Sequence, residues 1–206
     1  MTAPVPPRTS VIEWGWAGRA LEQLSGDAHA VVERDDGALV ALLDGLGHGF
    51  LAAEAVSTAM PVIQAHAGAS VVELVQHCHE AMRRTRGAVM SVAWFDARES
   101  SLTWTGVGNV DSVLVRAGKH ETARNEAIAT RGGVVGYRLP SLHADRHPLF
   151  PGDLLVMATD GIRSNFSSGI VAQFSAQAIA ESILVRYAKG TDDAHVVVAR
   201  FLGASP

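Results

Sequence analysis

The stretch Ala38-Leu39-Val40-Ala41-Leu42-Leu43-Asp44-Gly45-Leu46-Gly47-His48-Gly49 decides how the chain is read. Six consecutive apolar residues predict a buried strand. Asp44 ends it, so a carboxylate sits at the edge of a core, where an unpaired charge is costly. Beyond the glycines, Ala52, Ala55, Val56, Ala59, Met60 and Ile63 follow the i, i+3, i+4, i+7 spacing of one helix face. This predicts a helix that starts just after Gly49 and kinks at Pro61. Upstream, residues 28–33 form a second apolar run, and Asp35-Asp36-Gly37 between the two runs predicts an antiparallel hairpin.

Further along, Ser70 and Glu73 have the spacing of a capping box. Val71, Leu74, Val75, Cys78 and Met82 then carry a second helix to about Arg84. After Gly87, residues 88–95, 101–107 and 112–115 predict a β-meander with turns at 96–100 and 117–118. Pro151-Gly152 turns the chain into a strand over 153–159 that ends on Asp160-Gly161. A third helix over 176–187 and a last strand over 194–202 complete the pattern. Two batches of strands with helices between and after them predict an α+β fold of antiparallel sheets covered by helices.

Composition narrows the function classes. With 48% hydrophobic and 18% charged residues the chain is not disordered, and no apolar run nears the ~18 residues of a membrane span. Seventeen basic against 21 acidic residues give a net charge of -4. The cluster Arg83, Arg84 and Arg86 reads as a helix C-terminus favoured by the dipole, so nucleic acid is not expected as a partner. Cys78 is the one cysteine, which excludes an internal disulfide and predicts a reducing cytoplasm. Residues 1–9, with three prolines, read as a frayed arm ahead of a single domain over 10–206.

Four aspartates share one kind of position. Asp27 follows Ser25-Gly26, Asp44 and Asp160 each end a strand before a glycine, and Asp192 precedes the last strand. Carboxylates brought within ~4 Å repel by on the order of 4 kcal/mol at an effective dielectric near ~20, so they must protonate, pair or bind metal. An all-oxygen set selects a hard cation, Mg²⁺ or Mn²⁺. Gly45, lacking a side chain, would let its backbone carbonyl approach such an ion.

The segments Asp44-Gly45-Leu46-Gly47-His48-Gly49, Gly106-Val107-Gly108-Asn109-Val110, Gly132-Gly133-Val134-Val135-Gly136, Ala158-Thr159-Asp160-Gly161-Ile162 and Asp192-Asp193-Ala194-His195-Val196 occur in one order. That order resembles the PPM, or type 2C, protein phosphatases, and within them the bacterial sporulation-stage-II-protein-E branch. The resemblance implies an α-β-β-α sandwich with two cations between the open edges of the sheets. It makes Asp44 the carboxylate bridging both ions, Gly45 a carbonyl ligand, and Asp160 and Asp192 further ligands of one ion. Asp27 would support the second ion, directly or through water. It implies in-line attack of an activated water on a phosphomonoester without a phosphoenzyme. The implied substrate is phosphoserine or phosphothreonine on STAS-domain proteins of a stressosome-type module. The arginine that holds phosphate in eukaryotic members has no counterpart before Asp27, and His195 stands where Thr or Ser is usual.

His48 lies beside the metal loop and is a candidate general acid. His77 and His79 face different sides of the second helix and read as structural or surface residues. Adjacent residues on a strand point to opposite faces, so with Asp192 as ligand Asp193 is expected to face away and to matter little for turnover. The glycine loop lacks the Gly-Lys-Ser/Thr ending of a nucleotide site, and no Gly-x-Ser-x-Gly elbow occurs. Two other readings remain open: a PPM-fold binding protein with weak or no catalysis, and a dimetal phosphatase of a small phosphorylated molecule.

Overall fold

Alternation along the strands sorts their side chains between two neighbours, an opposing sheet and a layer of helices. The computed structural model describes residues 10–117 and 126–203. The expected arm at 1–9 and the second residue of the expected turn at 117–118 lie outside them. In chain order the elements are β1 (Ile12–Arg19), β2 (Asp27–Arg34), β3 (Gly37–Gly45), α1 (Phe50–Ala65), α2 (Val71–Met82), β4 (Ala88–Asp96) and β5 (Ser101–Val107). There follow β6 (Asp111–Val115), β7 (Glu126–Ala127), β8 (Asp145–Pro148), β9 (Leu154–Ala158), a 3₁₀ turn at Ser164–Gly169, α3 (Ala176–Tyr187) and β10 (Ala194–Phe201).

The strands form two antiparallel five-stranded sheets, ordered β1-β10-β9-β6-β7 and β2-β3-β4-β5-β8. Helices α1 and α2 cover the outside of the second sheet and α3 the outside of the first, so the expected α-β-β-α sandwich is present. On β3, Val40 and Leu42 pack between the sheets, whereas Leu39, Ala41 and Leu43 pack under the helices. Both faces of the strand are therefore buried, which explains its unbroken apolar run. On β10 the same period sends Val197, Ala199 and Phe201 inward and Val196 and Val198 towards α3.

The capping box forms as expected: the Ser70 hydroxyl accepts from the Glu73 amide, and the Glu73 carboxylate accepts from the Ser70 amide. Cys78 is buried on α2, and burial pushes its thiol up to about 12. His79 Nδ1 accepts from the Gly136 amide at 2.9 Å, and His77 stacks on His66. Helix α1 runs as one element through Pro61, which is exposed.

Two expectations need correction. The three strands after Gly87 are not a meander within one sheet. β4 and β5 pair, but β6 joins β9 in the other sheet. The chain crosses at Gly108, where φ is 96° and a Cβ would lie 2.1 Å from Val89 Cγ1. Only glycine fits there. The sequence reading also missed β1, which pairs with β10 along all eight residues. Its outer edge is closed by Gln177 of α3, whose side chain accepts from the Trp16 amide and donates to the Trp16 carbonyl. At Trp16 this occupies the edge groups that another strand would use.

At the end of the sandwich opposite Asp44, Asp153 is fully buried. It accepts from Arg116 at 2.9 Å and from the amides of Ala117 and Phe150. Asp153→Ala would leave two amides without their acceptor and remove one partner of the partly buried guanidinium, which keeps Glu126 and the Pro148 carbonyl. The expected loss of unfolding free energy is about 3 kcal/mol in urea titrations. A loss below about 1 kcal/mol would show that the network contributes little.

Candidate metal centre

The hairpin register creates the site. Asp27, first residue of β2, lies directly opposite Asp44, next to last on β3. Directly opposed residues share a face, with Cβ atoms about 5 Å apart. Counting by two from Val31 and Leu42, which pack between the sheets, places Asp27 and Asp44 in that same inter-sheet space. From the other sheet, Thr159 just beyond β9 and His195 on β10 have the inward parity of Met157 and Val197. The four side chains close one end of the sandwich.

Asp27 is buried and Asp44 half-buried. Burial first, then the charges of Asp193, Asp160 and Asp192, push the Asp27 carboxyl up to about 7, against a hydrogen bond from Thr159 that lowers it. Burial first, then Asp27, Asp160, Asp192 and Asp193, push Asp44 up to about 8. No Lys or Arg among the described residues pairs with either carboxyl. The site thus gathers acidic groups with no Lys or Arg of the described residues paired to the two central carboxyls.

Thr159 joins the two sheets here. Its hydroxyl donates to Asp27 Oδ2 at 2.8 Å and accepts from the His195 amide at 2.9 Å. Asn109 Nδ2 donates to Asp160 Oδ2 at 3.1 Å, and Lys189 donates to the Asp160 carbonyl. Partial burial raises the Asp111 carboxyl, with Lys189 opposing and Asp160 adding to the rise. Sequence reasoning passed over Thr159, Asn109, Asp111 and Lys189. Thr159 and Asn109 stand inside motifs already quoted, but nothing local marks which of their neighbours they reach.

Gly45 is buried and its amide donates to the Gly26 carbonyl at 2.9 Å. A Cβ on it would lie 2.4 Å from the Ala52 carbonyl oxygen. Close packing of α1 against the end of β3 therefore demands glycine here, independently of any ligand role. His48 pairs with Glu22 at 2.6 Å, both side chains half exposed or more, so it stands at the rim. His195 is buried, donates to or accepts from His29 at 2.8 Å and stacks on Trp16. Burial and His29 push it down to about 3, so it is neutral.

Asp192 and Asp193 separate clearly. Among the described residues the Asp192 side chain accepts from the Asp193 amide alone, at 2.9 Å, and is half-buried. Asp193 is buried and accepts from the amides of Leu21 and Gly26, each at 2.6 Å. It fixes the loop that leads into Asp27. The expectation that Asp193 is nearly dispensable is thereby revised: it anchors the site's backbone.

Among the described residues no three His, Cys, Asp or Glu side chains are grouped closely enough to hold an ion as they stand. The donors fit a hard divalent ion in type: carboxylate oxygens, no thiolate, and two buried carboxyls held far from their ordinary ionisation.

Residues 34–202 match the family Stage II sporulation protein E (SpoIIE), and the chain belongs to it. This is a branch of the PPM class of protein phosphatases, whose fold the two helix-covered sheets reproduce. Among particular relatives, the phosphoserine phosphatase RsbX of Bacillus subtilis (strain 168) is 29% identical over 93 residues, which span 45% of this chain and 47% of that protein. A structure from the bacterial stressosome, described as a modular system adapted to control secondary messenger signalling, superposes with a TM-score of 0.82. It is 28% identical, over 92% of this chain and 99% of that one. The crystal structure of RsbX in complex with magnesium gives 0.80 at 20% identity, over 92% and 95% of the two chains, a likeness of fold.

Two measurements test the site. Asp27 and Asp44 ionise near the ordinary 3.8 when unfolded and near 7 and 8 when folded. The folded state then binds more protons between those values, so stability falls as pH rises through the window. In excess chelator the melting temperature is expected to drop from about pH 5 to about pH 8, to recover with Mg²⁺, and to drop less in Asp44→Asn. A flat profile in chelator would remove the electrostatic account. Separately, Asp193→Asn would set an amide NH₂ against a backbone N–H and lower stability by about 1 to 3 kcal/mol, whereas Asp192→Asn would melt normally and bind Mg²⁺ more weakly. The reverse pattern would exchange the two roles.

Proposed function

We propose that residues 10–206 act as one metal-dependent protein phosphatase domain that hydrolyses phosphoserine or phosphothreonine on a partner protein in the cytoplasm. The observation that carries this is the opposed pair Asp27 and Asp44, two carboxyls raised by burial and by the surrounding aspartates, with no Lys or Arg among the described residues paired to either. Asp44, Asp160, Asp192 and the Gly45 carbonyl would hold Mg²⁺ or Mn²⁺, with Asp27 supporting a second ion. Two ions bound there supply the positive charge that activates water and offsets charge on the phosphoryl oxygens.

The chain's own residues prepare that step. Thr159 fixes the orientation of Asp27 through one oxygen and leaves the other unengaged by it, to face an ion or its water. Asn109 does the same for Asp160. Asp193 holds the backbone ahead of Asp27. His48, steered by Glu22 at the rim, is the candidate proton donor to the departing hydroxyl.

The substrate class draws on kinship rather than geometry. RsbX is a phosphoserine phosphatase, and a stressosome structure shares the fold over most of both chains. We assign as substrate a phosphorylated STAS-domain protein of a stressosome-type module. The magnesium complex of RsbX supports Mg²⁺ as one physiological ion.

Purified protein is expected to hydrolyse an aryl phosphate and a phosphorylated STAS domain with Mn²⁺ or Mg²⁺, and to stop on chelation. Asp44→Asn should lower kcat by about a thousandfold or more, and His48→Ala by about ten- to a hundredfold. Undiminished turnover in chelator would rule out the metal-dependent mechanism. Equal losses in the two variants would place His48 at the centre of it.

A further inference from the structure

Residues 83–87 and 129–140 contain five arginines and no carboxylate, in a chain whose net charge is -4. These two segments are locked together. Ala88 and Val135 exchange both backbone hydrogen bonds, at 3.0 and 2.9 Å, and Gly87 leaves no room for a side chain against the Val135 carbonyl. Arg83, Arg84, Arg86, Arg131 and Arg138 are all exposed. Among the described residues only Arg83 has a carboxylate partner, Glu80 at 3.4 Å. Tyr137, next to Arg138, is 81% exposed.

The fold does not account for this concentration of charge. A cation at a helix C-terminus can bond the last carbonyls, but at the end of α2 the free Met82 carbonyl is taken by the Thr85 amide and hydroxyl. Arg131 and Arg138 lie far from that helix end in sequence, and among the described residues the bonds that hold them are backbone ones. Like charges gathered without counter-charges repel, and they persist where something else neutralises them. The face also adjoins the metal loop. The Leu46 amide donates to the Gly87 carbonyl at 3.0 Å, and Arg86 Nη1 lies 2.9 Å from where a Cβ on Gly47 would be.

We propose that this arginine face docks an acidic segment of the protein substrate and so delivers the phosphorylated residue to the carboxylate site. The inference rests on the protein-phosphatase reading. Charge complementarity selects the partner: five exposed arginines without a carboxylate between them attract an acidic segment to this face of a net negative molecule, which fixes orientation as well as rate of encounter. Exposed Arg with an exposed Tyr is also the composition that interface cores favour. A nucleic acid carries far more charge than five arginines can neutralise, and the net charge of the chain opposes it.

The test uses two fluorescent phosphoserine peptides, identical except that Asp and Glu flank the phosphoserine in one, Asn and Gln in the other. In excess chelator and about 50 mM salt the wild type is expected to bind the acidic peptide about tenfold more tightly, and the preference should fade at about 300 mM. Arg84→Gln/Arg131→Gln/Arg138→Gln should bind both peptides alike, with its melting temperature and its metal-dependent turnover of aryl phosphate unchanged. Should the triple variant melt early, Arg138→Gln alone is expected to lose about half the preference. Retention of the full preference by the variants, absence of any preference in the wild type, or equal displacement by an oligothymidylate of matched charge would overturn the proposal. Loss of aryl phosphate turnover in the wild type, with the peptide preference intact, would instead strike the phosphatase reading and leave the acid-binding face standing.

Discussion

The register of the β2–β3 hairpin sets Asp27 against Asp44, and the carboxylate end of the molecule depends on that pairing. Like charges directly opposed across a sheet are destabilising, and burial at the end of a sandwich makes the opposition worse. The hairpin nevertheless cannot slip. A shift of one residue would turn Val31 and Leu42 out of the inter-sheet core and bring Leu43 in, reversing every side chain of a strand buried on both faces. Hydrophobic packing along the six apolar residues of β3, Ala38 to Leu43, thus holds the two opposed carboxyls in place. The strain is local and the constraint is distributed.

Two polar contacts carry this constraint across the gap between the sheets. Thr159 belongs to the β9 end of one sheet and grips Asp27 of the other. Asp193, ahead of β10, grips the loop before β2 through two amides. The oxygens of both residues already bond the chain, so they serve here as anchors. They make the geometry of the carboxylates a property of both sheets together, so a change in sheet packing reaches the site directly. Close packing of α1 on Gly45 extends the same coupling to the helical layer.

Much of this was legible in the sequence, and what was not has a common cause. The apolar run of β3, the capping box of α2, the span of α3 and the Asp-Gly strand ends are local patterns, and they appear where the residues put them. β1 escaped notice because Trp14, Gly15, Trp16 and Ala17 alternate large and small residues without a polar face, a pattern intelligible only once β10 and Gln177 flank it. The meander failed because nothing local tells a tight turn from a crossing between sheets, and Val89 alone makes Gly108 the crossing point. At the site, the ligand candidates could be read from motif and strand ends. The hydrogen bonds of Thr159, Asn109 and Asp193 span dozens of residues, and no spacing encodes them.

The burial of Cys78 has a practical side. A thiol held up near 12 inside α2 is scarcely ever a thiolate, and the thiolate is the species that reacts. The sequence contains no other cysteine. Oxidants that act on thiols would therefore find no ready target on the folded molecule, and a disulfide between two folded copies is disfavoured. The same residue becomes reactive only when α2 leaves the sheet, so alkylation counts opening events of that helix one molecule at a time.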